Sequence, residues 1–153
     1  ACLLTALKIM RDNGIVPQYD TEFYLTVYEE VGHGGADIPA SLSELLAVDM
    51  GCIGGDLTCT EQQVSICVKD SAGPYDYEMT SRLMGYAKAH GIDYAADVYP
   101  HYGSDVGAAW RAGGGMKAAL IGPGVHASHG MERTHWDGLK ATMALLLCYL
   151  TGE

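Results

Sequence analysis

The chain reads as an α/β protein, a mostly parallel sheet with helices on both faces. Three observations carry that reading. Short apolar runs at 23–28, 45–50, 64–68, 94–99 and 118–121 alternate with longer stretches whose apolar residues recur every three or four positions. Several of the runs alternate little between apolar and polar, as strands do when both their faces are covered. The polar residues most capable of chemistry fall just after those runs, where open α/β sheets bind their ligands.

The elements follow in order. Residues 1–12 form a helix with Leu3, Leu4, Leu7 and Met10 on one face, and Asn13-Gly14 stops it. Residues 23–28 read as a central strand, 32–40 as a loop, 41–45 as a short helical turn, and 45–50 as a buried strand carrying Asp49. A glycine-rich irregular stretch covers 51–61. A strand at 64–68 leads into a loop at 69–75 that contains Gly73-Pro74. Residues 77–90 form a helix with Met79, Leu83, Met84 and Ala87 inside, ended by Gly91. After the strand at 94–99, Ser104 suits the N-cap of a helix running to Ala112. Gly113 to Gly115 ends that helix, 118–121 is a short strand, 122–134 a long polar loop, and 136–151 the closing helix. Nothing inside the chain reads as a repeat, a low-complexity tract or a linker.

Composition excludes several classes. The 153 residues suit one domain, and nearly half are apolar, enough for a full core. A net charge of −10 argues against nucleic acid and anionic membranes as partners. The longest apolar candidate for a membrane span, 141–150, is too short. Lys8, Arg11 and Asp12 interrupt the N-terminal apolar pattern, unlike a signal peptide. The five cysteines (Cys2, Cys52, Cys59, Cys67 and Cys148) are odd in number, form no CxxC pair and sit in apolar company. They read as reduced, buried thiols of a cytoplasmic protein, not as zinc ligands. The first residue is not Met, and the opening residues already read as mid-helix, so the sequence looks like a piece of a longer protein.

The stretch Thr26-Val27-Tyr28-Glu29-Glu30-Val31-Gly32-His33-Gly34-Gly35-Ala36 organises the rest. Two carboxylates at the end of an apolar run, followed by glycines that let backbone approach closely, suit a hydrolytic site. One can bind a metal while the other moves a proton. The same pair could equally be solvated at a strand end. Asp49 ends the next run; alone it would suit an N-cap or a salt bridge, but beside Glu30 it suits a metal ligand. His101, Ser104 and Asp105 follow another run. The loop from His126 to His135 holds His126, His129, Glu132 and His135, which suits a metal or proton-transfer site. Carboxylate and imidazole together fit Zn, Mn or Co. Gly113-Gly114-Gly115 is no phosphate loop, because no GK[ST] follows. Gly103-Ser104-Asp105 lacks the GxSxG pattern of a serine hydrolase.

Taken in order, four motifs resemble the M42 family of metal-dependent aminopeptidases. They are Tyr28-Glu29-Glu30-Val31-Gly32 with Gly35-Ala36, Ala47-Val48-Asp49, Tyr102-Gly103-Ser104-Asp105, and the His-bearing loop before the last helix. The resemblance covers nearly the whole chain. It implies a mixed, mostly parallel sheet in an αβα sandwich of the zinc-peptidase kind. It implies release of N-terminal residues from peptides, two divalent ions (Zn, Co or Mn), and homo-oligomers at full length. By the same resemblance Glu29 is the general base, Glu30 and Asp49 are metal ligands, and the last ligand is His129, with His126 as runner-up. Asp105 stands where the family has Gly-Thr-Asp and supports the site from behind the ligands.

The sequence departs from the family in lacking an upstream His ligand, the bridging Asp and the inserted dimerisation domain. Residues 1–153 therefore look like the C-terminal part of the catalytic domain, whose partner is the N-terminal half of the same protein and which by itself is not a complete peptidase. Two other readings compete: a metal- or peptide-binding remnant without chemistry, and a glycoside hydrolase. The second fits poorly, because adjacent glutamates do not flank a sugar.

Overall fold

The computed structural model describes residues 1–153. Its helices are α1 (Cys2–Asn13), α2 (Tyr77–Ala89), α3 (Asp105–Arg111) and α4 (Trp136–Thr151). Its strands are β1 (Glu44–Val48), β2 (Gly51–Cys52), β3 (Val64–Asp70), β4 (Gly73–Pro74), β5 (Tyr94–Val98) and β6 (Lys117–Val125). Helix ends follow local chemistry. Gly14, at φ 66°, takes the left-handed conformation that closes α1. Asp76 caps α2 by accepting the Met79 N–H, and Ser104 caps α3 by accepting the Val106 N–H.

The sheet is mixed and mostly parallel. β6 lies between β1, which it pairs in parallel, and β3, which it pairs antiparallel. β5 adds to β3 in parallel, β2 runs parallel to the end of β6, and the short β4 folds back on β3. Side-chain alternation divides two cores. Val64 and Ile66 of β3, with Ala119 and Ile121 of β6, face α1, α2 and α4 through Met10, Met79, Leu83 and Leu145. Cys67, Ala118 and Leu120 point the other way, toward Val106 of α3, Tyr75 and Tyr99. Helices thus cover both faces, as the element pattern predicts. All five cysteines are unpaired, and all but the half-buried Cys148 are buried. No helix is long and apolar enough to cross a membrane.

Three sequence expectations are corrected. Residues 23–28 form no strand: they have no ladder partner, the chain bends at Val27 and Tyr28, and a 3-10 turn, Glu29–Val31, follows. Val27 is 84% exposed there, so strand propensity is present and the neighbouring strand is not. Residues 41–45 form no helical turn. Glu44 instead opens β1, held by Arg82 and Tyr149 and aligned with Lys117 of β6. The loop expected from 122 begins later, because β6 continues to Val125. Gly122 and Gly124 allow this, since a Cβ on either would stand 2.2 Å from the Asp49 carbonyl or 2.1 Å from that of Thr60.

Candidate metallopeptidase site

An open cleft of about 990 Å³ lies beyond the carboxyl ends of β1 and β6 and is also lined by residues 99–105, which follow β5. Glu29, Glu30, Asp49, Asp105, His129 and Glu132 all line it. Glu29 and Glu30 come from the 3-10 turn, whose last residue hands over to Gly32 at φ 85°. Asp49 leaves β1 directly; its N–H still donates to the Ile121 carbonyl, and its Oδ1 accepts the Met50 N–H at 2.7 Å. These bonds hold the carboxylate at the end of the strand.

His129 is presented by a strained turn. Ala127 and His129 both have positive φ, 58° and 61°, a conformation costly for residues with a Cβ. Two backbone bonds between His126 and Arg133 close the loop, and Glu132 accepts the His129 N–H at 3.0 Å. The result brings His129 Nε2 within 3.7 Å of Glu30 Oε2 and lays its ring over Tyr102. His126 is exposed, spends its backbone on Arg133, and does not line the cleft. His135 caps α4, and His33 stacks on Tyr28. Of the histidines in the loop, only His129 reaches the cleft.

Asp105 sits behind the carboxylates. Its Oδ2 accepts the Thr26 hydroxyl at 2.5 Å, and its carbonyl abuts Gly35. The electrostatics of the cluster are those of crowded acids. Burial pushes the Glu29 carboxyl up, Asp49, Asp105 and Glu30 push it further, and His129 pulls it down. Burial also raises Asp49, with Glu30 and Asp105 adding to the effect, while the Met50 N–H and His129 oppose it. A cation placed among them would relieve that repulsion. The donor types, two carboxylates and an imidazole, fit a borderline divalent ion. Yet no three His, Cys, Asp or Glu side chains converge closely enough to hold one ion. Sequence reasoning gave no separate role to Thr26 or Tyr102, and it missed Arg111, whose Nη2 donates to the Gly32 carbonyl at 3.3 Å. Only proximity in the fold identifies Arg111; no spacing in the sequence does.

Fold and cleft define a mixed, mostly parallel αβα domain with an acidic cleft on one side of its sheet. The family model of the M42 glutamyl aminopeptidases matches residues 1–145, and the chain belongs to that family. It is 45% identical over 151 residues to YhfE of Bacillus subtilis (strain 168), whose name assigns it provisionally to the aminopeptidases. That match covers 98% of this chain and 44% of YhfE. The TET1 peptidase of Pyrococcus horikoshii superposes with a TM-score of 0.84 at 21% identity, covering 99% of this chain and 46% of that one. An aminopeptidase of the archaeon Desulfurococcus kamchatkensis gives 0.83 at 20% identity, covering 99% and 45%. The chain therefore spans less than half the length of the relatives it matches.

Proposed function

We propose that the complete protein containing this chain is a metal-dependent aminopeptidase, with residues 1–153 forming the C-terminal part of its catalytic domain. The observation that carries the reading is the convergence of Glu29, Glu30, Asp49 and His129, drawn from three separate segments, on one acidic cleft. Glu30, Asp49 and His129 would hold two divalent ions between them. Such ions, when bound, lower the pKa of water and polarise a carbonyl.

The residues of this chain do the remainder. Glu29, whose proton affinity is raised, takes a proton from the attacking water on its carboxylate and delivers it to the departing amine. The surrounding carboxylates attract the ammonium of a peptide's free amino terminus. Asp105 fixes the segment that carries Glu29. TET1 is described as assembling into a tetrahedron or an octahedral shell, and we extend homo-oligomerisation to the complete protein.

The complete protein is expected to release N-terminal residues from short peptides, to leave N-acetylated peptides intact, and to lose activity in chelator and regain it with Zn, Co or Mn. The alternative, a binding remnant without chemistry, is favoured by the lack of three donors close enough together to hold one ion. It would be right if the metal-loaded complete protein bound peptides and cleaved none.

A further inference from the structure

Beneath the cleft wall lies a buried polar chain that the catalytic reading does not use. Asp70, at the end of β3, is 1% exposed, and Tyr75 is 6% exposed. Asp70 Oδ1 accepts the Ala72 N–H at 2.7 Å, and its Oδ2 accepts the Tyr75 hydroxyl at 2.7 Å. The Tyr75 oxygen lies 2.8 Å from Ser104 Oγ, which accepts the Val106 N–H at 3.2 Å. Proton counting fixes the direction. Burial drives the Tyr75 hydroxyl far above its ordinary pKa, so it keeps one proton, and that proton is committed to Asp70. Ser104 must then donate to Tyr75 while its lone pair receives Val106. The chain runs one way, from the first turn of α3 to a carboxylate anchored in the sheet.

What it fixes is Asp105, the next residue after Ser104. Asp105 takes the Thr26 hydroxyl, and a Cβ on Gly34 would stand 2.6 Å from its Oδ1. The Gly34–Asp37 turn packs on α3, and Arg111 at the other end of α3 holds the Gly32 carbonyl. The segment bearing Glu29 and Glu30 therefore rests on α3 at three points. We propose that Asp70, Tyr75 and Ser104 are positioning residues, a buried hydroxyl chain that sets the first turn of α3 and, through Asp105, the pose of Glu29.

The test uses the complete protein and has two arms, of which only the kinetic one rests on the aminopeptidase reading. Hydrogen exchange followed by mass spectrometry reads the amides of Gly32, His33, Ala36 and Ile38, all bonded within the 28–38 segment. In Tyr75→Phe and in Ser104→Ala these amides should exchange faster, with α4 unchanged, and Ser104→Thr, which keeps the hydroxyl, should restore protection. Unchanged exchange in that segment overturns the proposal whether or not the protein is a peptidase. In the kinetic arm, Tyr75→Phe should lower kcat about tenfold or more with little change in KM. Tyr75→Phe combined with Asp105→Asn should be no worse than the stronger single variant, because both break one chain. Faster exchange with an unchanged kcat, or strictly multiplicative losses in the double variant, would make the chain structural only and overturn the positioning role. A wild-type protein that cleaves no peptide would instead refute the aminopeptidase reading and leave the exchange arm to decide.

Discussion

At the scale of single residues, the site depends on how closely backbone can approach the acids. Gly35 is buried, and a Cβ there would stand 2.0 Å from the Asp105 carbonyl. That contact is with backbone, so it cannot be relieved by turning a side chain. Gly35→Ala should cost about 1–3 kcal/mol and reduce activity as well, because the 29–35 segment must move off α3. Parallel thermal melts and rate measurements check this; a wild-type melting temperature and rate would show that the segment yields freely. The glycines after Glu30 were legible in the sequence as close-approach positions. The residue they approach was not, since Asp105 lies about seventy positions away and meets them only in the fold. That Glu29, Glu30, Asp49 and His129 would line one cleft was legible, because polar residues that follow apolar runs in an α/β chain tend to gather beyond the ends of the sheet. The choice between His126 and His129 was not, because it turns on a left-handed backbone that residue types alone do not announce.

At the scale of elements, patterns that carry their own partners were legible and patterns that need a neighbour were not. The closing helix spans Trp136–Thr151, the same residues that its periodicity predicts. α2 buries Met79, Leu83 and Ala87, as its spacing requires. The run at 23–28 has strand propensity, but a strand exists only when another pairs with it. β1 makes the same point from the other side: its start depends on an ion pair that no local pattern reveals. The Arg82 guanidinium meets Glu44 Oε2 at 2.5 Å, Tyr149 donates to the same oxygen at 3.0 Å, and Arg82 lies over the Tyr149 ring. Burial raises the Glu44 carboxyl, but the Arg82 and Tyr149 hydrogen bonds outweigh it and the net shift is downward. A carboxylate whose folded pKa is depressed binds fewer protons folded than unfolded. Its stabilisation is present above the unfolded value and lost as pH falls through the folded one. The pair is partly exposed, so Arg82→Met should cost only about 0.2–1 kcal/mol at pH 7. The deficit should shrink toward zero as the pH falls below about 4. Denaturation at both pH values checks it; a deficit independent of pH would assign the role of Arg82 to packing on Tyr149.

At the scale of the whole molecule, the sheet ends at β1, whose only partner is β6. The apolar residues Val16, Tyr19, Leu25, Val27 and Tyr28 lie exposed in the segment between α1 and the Glu29 turn. Glu29, Asp49 and Asp105 line a second cleft as well, about 970 Å³, between that segment and β1. The carboxylates thus stand on a ridge between two openings. The class of fold was legible because helix and strand patterns alternate. The sheet order was not, since nothing in the spacing says that β6 runs antiparallel to β3. The central claim is the division of labour between adjacent glutamates, Glu30 holding metal and Glu29 moving the proton. The most direct measurement is bound divalent metal per chain, together with the rate of N-terminal residue release, in the complete protein and its Glu29→Gln variant. The account predicts full metal occupancy and a rate lowered about 10²–10⁴-fold. An undiminished rate, or loss of metal along with activity, would contradict it.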